Sequence, residues 1–168
     1  MIPENLLLNF NATLENIEAS EIIIHENKRA DFYFQIRTGE VKMYNLTEQG
    51  KEFVQGIFYD GESFGEPPLF GDFKYPASAA AVKPTEIYKL RKTKLFELLT
   101  KNPEINLKFT KALAKRLHYK ATILKEVSVH PPEHRILTLI DFLKRKNGAE
   151  NLYQVELTRQ QIADLTGL

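Results

Sequence analysis

An α+β fold is what this sequence predicts, with a run of short antiparallel strands leading into a wholly helical second half. Three observations carry that expectation. Strand-length segments alternate with turn residues from Ile22 to Leu90, helical periodicity takes over from Thr93, and the sign of the charge changes at the same point. At 168 residues, 43% apolar and 27% charged, the chain is one ordinary globular domain plus a small appendage.

The elements follow in order. The first twenty residues read as a helical lead-in, with Leu6, Leu7, Phe10, Leu14 and Ile17 at helix-like spacing. Ile22 to His25 is a strand, and Asp31 to Arg37 is another, closed by Thr38-Gly39-Glu40. Val41 to Leu46 alternates apolar and polar, and Glu48 to Lys51 turns the chain into Phe53 to Tyr59. Ala77 to Val82 and Ile87 to Leu90 complete the strands, with Lys83-Pro84-Thr85 between them. Short strands at this spacing predict a sandwich, a jelly roll or a barrel.

Thr93 is placed to cap a helix over Lys94–Thr100. Asn102 and Pro103 supply the cap and first-turn proline of a long helix running toward Val127. Its apolar residues Ile105, Phe109, Leu113, Leu117, Leu124 and Val127 step by three or four, except where Lys120 and Ala121 interrupt. Roughly 25 residues make a rod near ~37 Å, longer than a small roll covers. The stripe Phe109, Leu113, Leu117, Leu124 and Val127 is therefore expected to form a homodimer interface. Pro131 and Pro132 break the chain, Ile136 to Leu143 form the next helix, and Lys144 to Gly148 close it. Val155 to Leu157 reads as a short strand, Thr158 as the cap of a helix holding Ile162 and Leu165, and Thr166-Gly167-Leu168 as a turn.

Charge is segregated along these elements. Met1 to Leu90 holds 8 Lys/Arg against 14 Asp/Glu, whereas Arg91 to Asn147 holds 14 against 5. An acidic half joined to a basic one points to two tasks, one facing an anionic partner. Cysteine is absent, which excludes disulfides, thiolate metal sites and thiol redox sensing. No apolar run reaches membrane-spanning length, and the N-terminus has no secretory pattern, so the expectation is a cytoplasmic chain with no membrane partner. Nucleophile elbows, Walker loops and dinucleotide fingerprints are missing, so the chain is not expected to be an enzyme. The pair Asp60 and Glu62 lies in a turn, where solvation explains it. His25, His118, His130 and His134 do not form a ligand set: Pro131 and Pro132 interrupt the last two, and no metal site is expected. Nothing in the sequence names a cofactor.

Two motifs carry a resemblance. Gly39-Glu40-Val41 with Tyr59-Asp60-Gly61-Glu62-Ser63-Phe64-Gly65-Glu66-Pro67-Pro68-Leu69-Phe70 resembles the roll signature of the cyclic-AMP-receptor-protein/fumarate-nitrate-regulator family of bacterial transcription factors. Glu156 to Gly167 resembles the opening of that family's helix-turn-helix. The resemblance implies a double-stranded β-helix (jelly-roll) sensor domain over 1–102, a dimerisation helix over 103–129, and the first part of a winged helix-turn-helix over 130–168. It also implies that a natural protein of this design continues past Leu168 into a recognition helix. The partners implied are DNA, a second copy of the chain, a small-molecule effector of unknown identity and RNA polymerase.

The same resemblance places an effector pocket at Gly65, Glu66, Pro67, Tyr75, Pro76 and Lys120. Tyr75 and Pro76 stand where cyclic-nucleotide binders carry an arginine and its serine neighbour, and Lys120 and Ala121 where base-contacting residues sit on the long helix. Tyrosine carries no permanent positive charge and proline no N–H, so cyclic AMP is not the expected effector. Without a ligand, Gly65 to Pro68 reads as a rigid turn capping the roll. Thr158, Arg159 and Gln160 are the expected contacts to the DNA backbone, at a helix start whose free N–H groups suit phosphate. Two other classes stay open: a stand-alone ligand-binding roll acting on a protein partner, and a β-roll enzyme of cupin type.

Overall fold

The computed structural model describes residues 2–129, 131–146, 154–155 and 157–166. Short strands with one apolar face must find a second sheet, and here they do. Among the described residues, eight strands form two four-stranded antiparallel sheets: β1 (Thr13–Ile17), β8 (Thr85–Arg91), β3 (Phe32–Thr38) and β6 (Ser63–Phe64) in one, β2 (Ile22–Ile24), β7 (Ser78–Ala81), β4 (Glu40–Leu46) and β5 (Glu52–Tyr59) in the other. This strand order is that of a jelly roll. Ile17, Phe34, Ile36 and Ile87 of the first sheet join Ile24, Val41, Ala79 and Ala81 of the second in one buried core. The alanines of β7 let the sheets approach closely.

Helices α1 (Glu4–Asn9) and α3 (Lys92–Lys101) flank the roll, burying Leu7, Leu95, Leu98 and Leu99, and α2 (Pro67–Gly71) follows β6. The long helix α4 (Pro103–Val129) leads to α5 (Pro132–Lys146) and α6 (Arg159–Thr166). Tyr119 of α4 stacks on Phe142 of α5 with ring centroids 3.9 Å apart. Helix α6 lies against the roll: Leu165 packs on the cluster of Tyr44, Val54 and Ala80. Gln161 Nε2 also donates to Glu40 Oε1 at 3.4 Å.

Four expectations are corrected. The helical lead-in stops at Asn9, and Leu14 and Ile17 lie in β1, paired with Tyr88 and Thr85. Helix α3 begins two residues early with Arg91 at its cap, so Thr93 lies inside it. Asn102 does stand at the start of α4, its carbonyl accepting from the Asn106 N–H at 3.1 Å, but its side-chain amide closes α3 instead of capping α4, donating to the Leu98 carbonyl at 2.8 Å. Val155 and Leu157 belong to no strand. Gly148, His130 and the final Gly167-Leu168 lie outside the described residues.

The turn between β3 and β4 depends on glycine. Gly39 has φ 123°, and a Cβ there would fall on Thr85 Oγ1 and within 2.7 Å of the Thr85 Cα. Its N–H donates to Asp60 Oδ1 at 2.7 Å, and Glu62 accepts from the Tyr59 N–H at 3.0 Å, so both turn carboxylates have structural work. Gly39→Ala is expected to destabilise the roll by about 3 kcal/mol or more in urea denaturation, combining backbone strain with a backbone clash.

Candidate functional site

A buried carboxylate must be paired and hydrogen-bonded, and the region after β6 contains one. Gly65, at φ 71°, turns the chain out of β6 so that Glu66 points back inside, leaving it 1% exposed. Its Oε1 accepts from the Ser63 hydroxyl and from Arg116 Nη1 at 2.7 Å. Arg116 Nη2 also donates to the Ser63 carbonyl at 2.6 Å, and the guanidinium lies over the Phe58 ring, 5.1 Å from its centroid. A forked donor fixed on a carboxylate, a carbonyl and a ring face ties the long helix to the roll.

The polar chain continues inward. Tyr33, fully buried, donates its hydroxyl to Gln35 Oε1 at 2.7 Å. Gln35 Oε1 also accepts from the Ile2 N–H at 3.0 Å, while its Nε2 donates to the Ile2 carbonyl at 2.9 Å. Burial pushes the Tyr33 phenol far above its ordinary range, and the Glu66 charge adds to this, while Ser63 and Arg116 act the other way.

The sequence-predicted pocket residues divide into two groups. Gly65, Glu66 and Tyr75 are together: a Cβ on Gly65 would lie 3.3 Å from Tyr75 Cε1 and 2.7 Å from Ile24 Cδ1. Tyr75 is 5% exposed, with its hydroxyl toward the Phe32 carbonyl at 3.4 Å. Its ring therefore packs against the glycine that would have to admit a ligand. Pro67 and Pro76 are exposed, and the Pro76 carbonyl accepts from Asn45 Nδ2 at 2.7 Å. Lys120 extends along β5 toward Gln55 Oε1 at 3.4 Å, and desolvation followed by repulsion from Arg116 holds its ammonium below the usual lysine range. What the geometry favours is a filled site closed by Tyr75, Arg116 and Glu66.

Arg116, Ser63 and Tyr33 were not singled out from the sequence. A signal for Arg116 was present, because it falls seven residues after Phe109 and eleven after Ile105 and so shares their helix face.

Tyr75 also sets a pH dependence. Burial first, then the charges of Asp31 and Glu66, raise its phenol from 10.0 to about 12. The folded state thus holds a proton that the unfolded chain releases above pH 10. The stability this contributes is complete below pH 10 and declines as pH rises toward 12. Tyr75→Phe should flatten that alkaline decline in a series of thermal melts, and an unchanged slope would count against the assignment.

On the long helix, Phe109 proves to be core: it is 2% exposed and packs on Tyr33 and Phe70. Its expected place in a dimer interface is corrected for that reason. Leu113 is partly buried on the same core, whereas Leu117 and Leu124 are 70% and 68% exposed. The side chain of Val127 lies outside what is described. At α6, Thr158 and Gln161 form a capping box: the Gln161 N–H donates to the Thr158 hydroxyl at 3.2 Å, and the Thr158 N–H to Gln161 Oε1 at 2.8 Å. Thr158, Arg159 and Gln160 are all exposed. His25, His118 and His134 are exposed too, and among the described residues no three metal-ligating side chains gather. No described helix is long and apolar enough to cross a membrane.

Comparison with known proteins places this geometry. The cAMP-activated global transcriptional regulator CRP of Haemophilus influenzae is 27% identical over 158 residues, covering 92% of this chain and 70% of that protein. Lysophospholipase nte1 of Aspergillus niger is 28% identical over 114 residues, covering 67% of this chain but 7% of the lysophospholipase, so the likeness is confined to a small part of that enzyme. The solved structure of FixK2 from Bradyrhizobium japonicum superposes with a TM-score of 0.77 at 20% identity, covering 94% of this chain and 78% of FixK2, which establishes the shared fold. The family model described as cyclic nucleotide-binding domain matches residues 14–102, the roll together with α3. The chain belongs to the cyclic nucleotide-binding domain family.

Proposed function

We propose that this chain is the sensing and dimerising portion of an effector-responsive, DNA-binding transcription regulator of the CRP/FNR type. The observation that carries the reading is the junction of roll and long helix. Arg116 on α4 is bonded to Glu66 and Ser63, so any change in the roll reaches the helix that leads to α5 and α6. The likeness to the Haemophilus regulator over 92% of the chain supports it. In this reading residues 1–102 sense, 103–129 dimerise and 130–168 begin the DNA-binding domain. Leu113, Leu117, Leu124 and Val127 form the seam of a homodimer. Thr158, Arg159 and Gln160 meet DNA phosphates, and RNA polymerase is engaged by the assembled complex in the cytoplasm. The chain itself performs no catalysis. A small-molecule effector acts by shifting a pre-existing equilibrium between two arrangements of the dimer.

Cyclic AMP is not that effector, because Tyr75 fills the space beside Gly65 and supplies no cation for a phosphate. Calorimetric titration with cyclic AMP is expected to give no saturable heat, and micromolar binding would refute this part of the reading. Mobility shifts test the DNA part. The 168-residue chain is expected to bind without sequence preference, with dissociation constants of about 10⁻⁴–10⁻⁶ M that rise steeply with salt. A chain extended through the second helix of the motif should discriminate among sequences. In it, Arg159→Ala should weaken all sequences alike and lower the salt slope by about one unit. Sequence discrimination by the shorter chain would place the base-reading surface elsewhere.

A further inference from the structure

The inner face of the β1–β8–β3 sheet does not stay apolar along its whole length. Register places Thr13 opposite Lys89 and Glu15 opposite Ile87, and on the other side Phe32 opposite Arg91 and Phe34 opposite Lys89. The face that holds Ile17, Phe34 and Ile87 in the core therefore runs on into Phe32, Lys89 and Arg91. There it opens as a depression of about 390 Å³ lined by Asn11, Thr13, Glu15, Phe32, Lys89, Arg91 and Lys94. That volume lies within the range of small-molecule sites.

Three cations and one carboxylate line it. The Lys89 ammonium lies 4.9 Å and the Arg91 guanidinium 5.4 Å from the centroid of the Phe32 ring. Glu15 pairs with Lys89 at 3.1 Å and Lys94 pairs with Glu97 at 2.8 Å. Among the described residues no carboxylate pairs with Arg91. A guanidinium held on an aromatic face, beside a second cation and without an anion of its own, is ordered in advance for a forked oxyanion.

We propose that this depression is a binding site for a small organic anion, an oxyanion group (phosphate or carboxylate) on a compact apolar body. Arg91 takes the oxyanion bidentately, Lys89 and Lys94 supply the surrounding positive field, Thr13 and Asn11 offer neutral hydrogen bonds, and the Phe32 edge meets the apolar body. The site is separate from the closed pocket at Glu66 and Tyr75, so its test does not depend on the regulator reading.

Phenyl phosphate, with inorganic phosphate beside it, is titrated into the 168-residue chain at low salt and followed by backbone amide chemical shifts. Saturable shifts are expected at Thr13, Phe32, Lys89 and Arg91, with phenyl phosphate tighter than the inorganic ion. Arg91→Gln, at an exposed position, should weaken phenyl phosphate by roughly tenfold. Phe32→Leu should weaken it severalfold, while Lys111→Gln, removing an exposed lysine of α4, should leave it unchanged. Shifts spread over the α4 lysines, equal loss in Arg91→Gln and Lys111→Gln, or no saturation below about 10 mM would each overturn the proposal. Equal affinity for the two phosphates would overturn the role given to the Phe32 edge.

Discussion

Replacing Arg116 by methionine is expected to cost about 3 kcal/mol of stability, because it strands a carboxylate inside the protein. Glu66 is 1% exposed, and its remaining protein donor would be the Ser63 hydroxyl. The Arg116 side chain is 27% exposed, which keeps the expectation at the lower end for a broken buried pair. For a chain of this size the loss corresponds to a melting temperature lower by about 6–12 °C. The double variant Glu66→Gln with Arg116→Met should recover most of it, since a neutral amide can share the Ser63 hydroxyl without a counter-ion. Differential scanning calorimetry of the two variants decides the matter. A single variant within 1 kcal/mol of the parent, or a double variant no better than the single, would show that the pair does not anchor α4.

Leu117→Glu is expected to weaken self-association by about a hundredfold or more, because symmetry places the new carboxylate in the seam twice. Leu117 and Leu124, seven residues apart and so on one face of α4, are both more than two-thirds exposed in the single chain. Two large aliphatic residues so exposed on a helix of 27 residues suit the proposed dimer seam. Light scattering of the purified protein should report a dimer for the parent at micromolar concentration and a monomer for the variant. A monomeric parent would remove the seam, whatever the variant does.

The parts of the fold that were legible in the sequence are those with a repeat or a clear boundary. Strand β4 alternates, β3, β5 and β8 are strand-length runs closed by turn residues and are placed within two residues, and α4 and α5 repeat as helices do. Strand β1 was misread for a definite reason. Of its residues only Ile17 is buried, so Leu14 and Ile17, three apart, fit a helix as well as a strand. Strand β6 has two residues, too few to show any period. At the site, Gly65, Glu66 and Tyr75 were visible because a motif and its spacing pick them out. Arg116 was not, because its partner is fifty residues away and its composition is that of the solvated lysines around it. Thr93 and Asn102 each had the right residue type for a cap, but the chain entered α3 earlier and used the Asn102 amide on the helix behind it.

The clip between Ile2 and Gln35 gives the molecule a spectroscopic handle. An amide near a chain end ordinarily exchanges its hydrogen almost as fast as a free peptide. The Ile2 N–H is bonded to Gln35 Oε1 in a residue 2% exposed, and Gln35 receives the hydroxyl of Tyr33, beside the Glu66–Arg116 pair. Its exchange rate therefore reads the integrity of the roll interior rather than fraying of the end. Slow exchange at Ile2 would mark the state in which α4 is tied down, and acceleration there, with Leu98 still protected, would report release of the helix while the roll stays folded. One resolved amide resonance can thus distinguish a change of state from unfolding in the same spectrum.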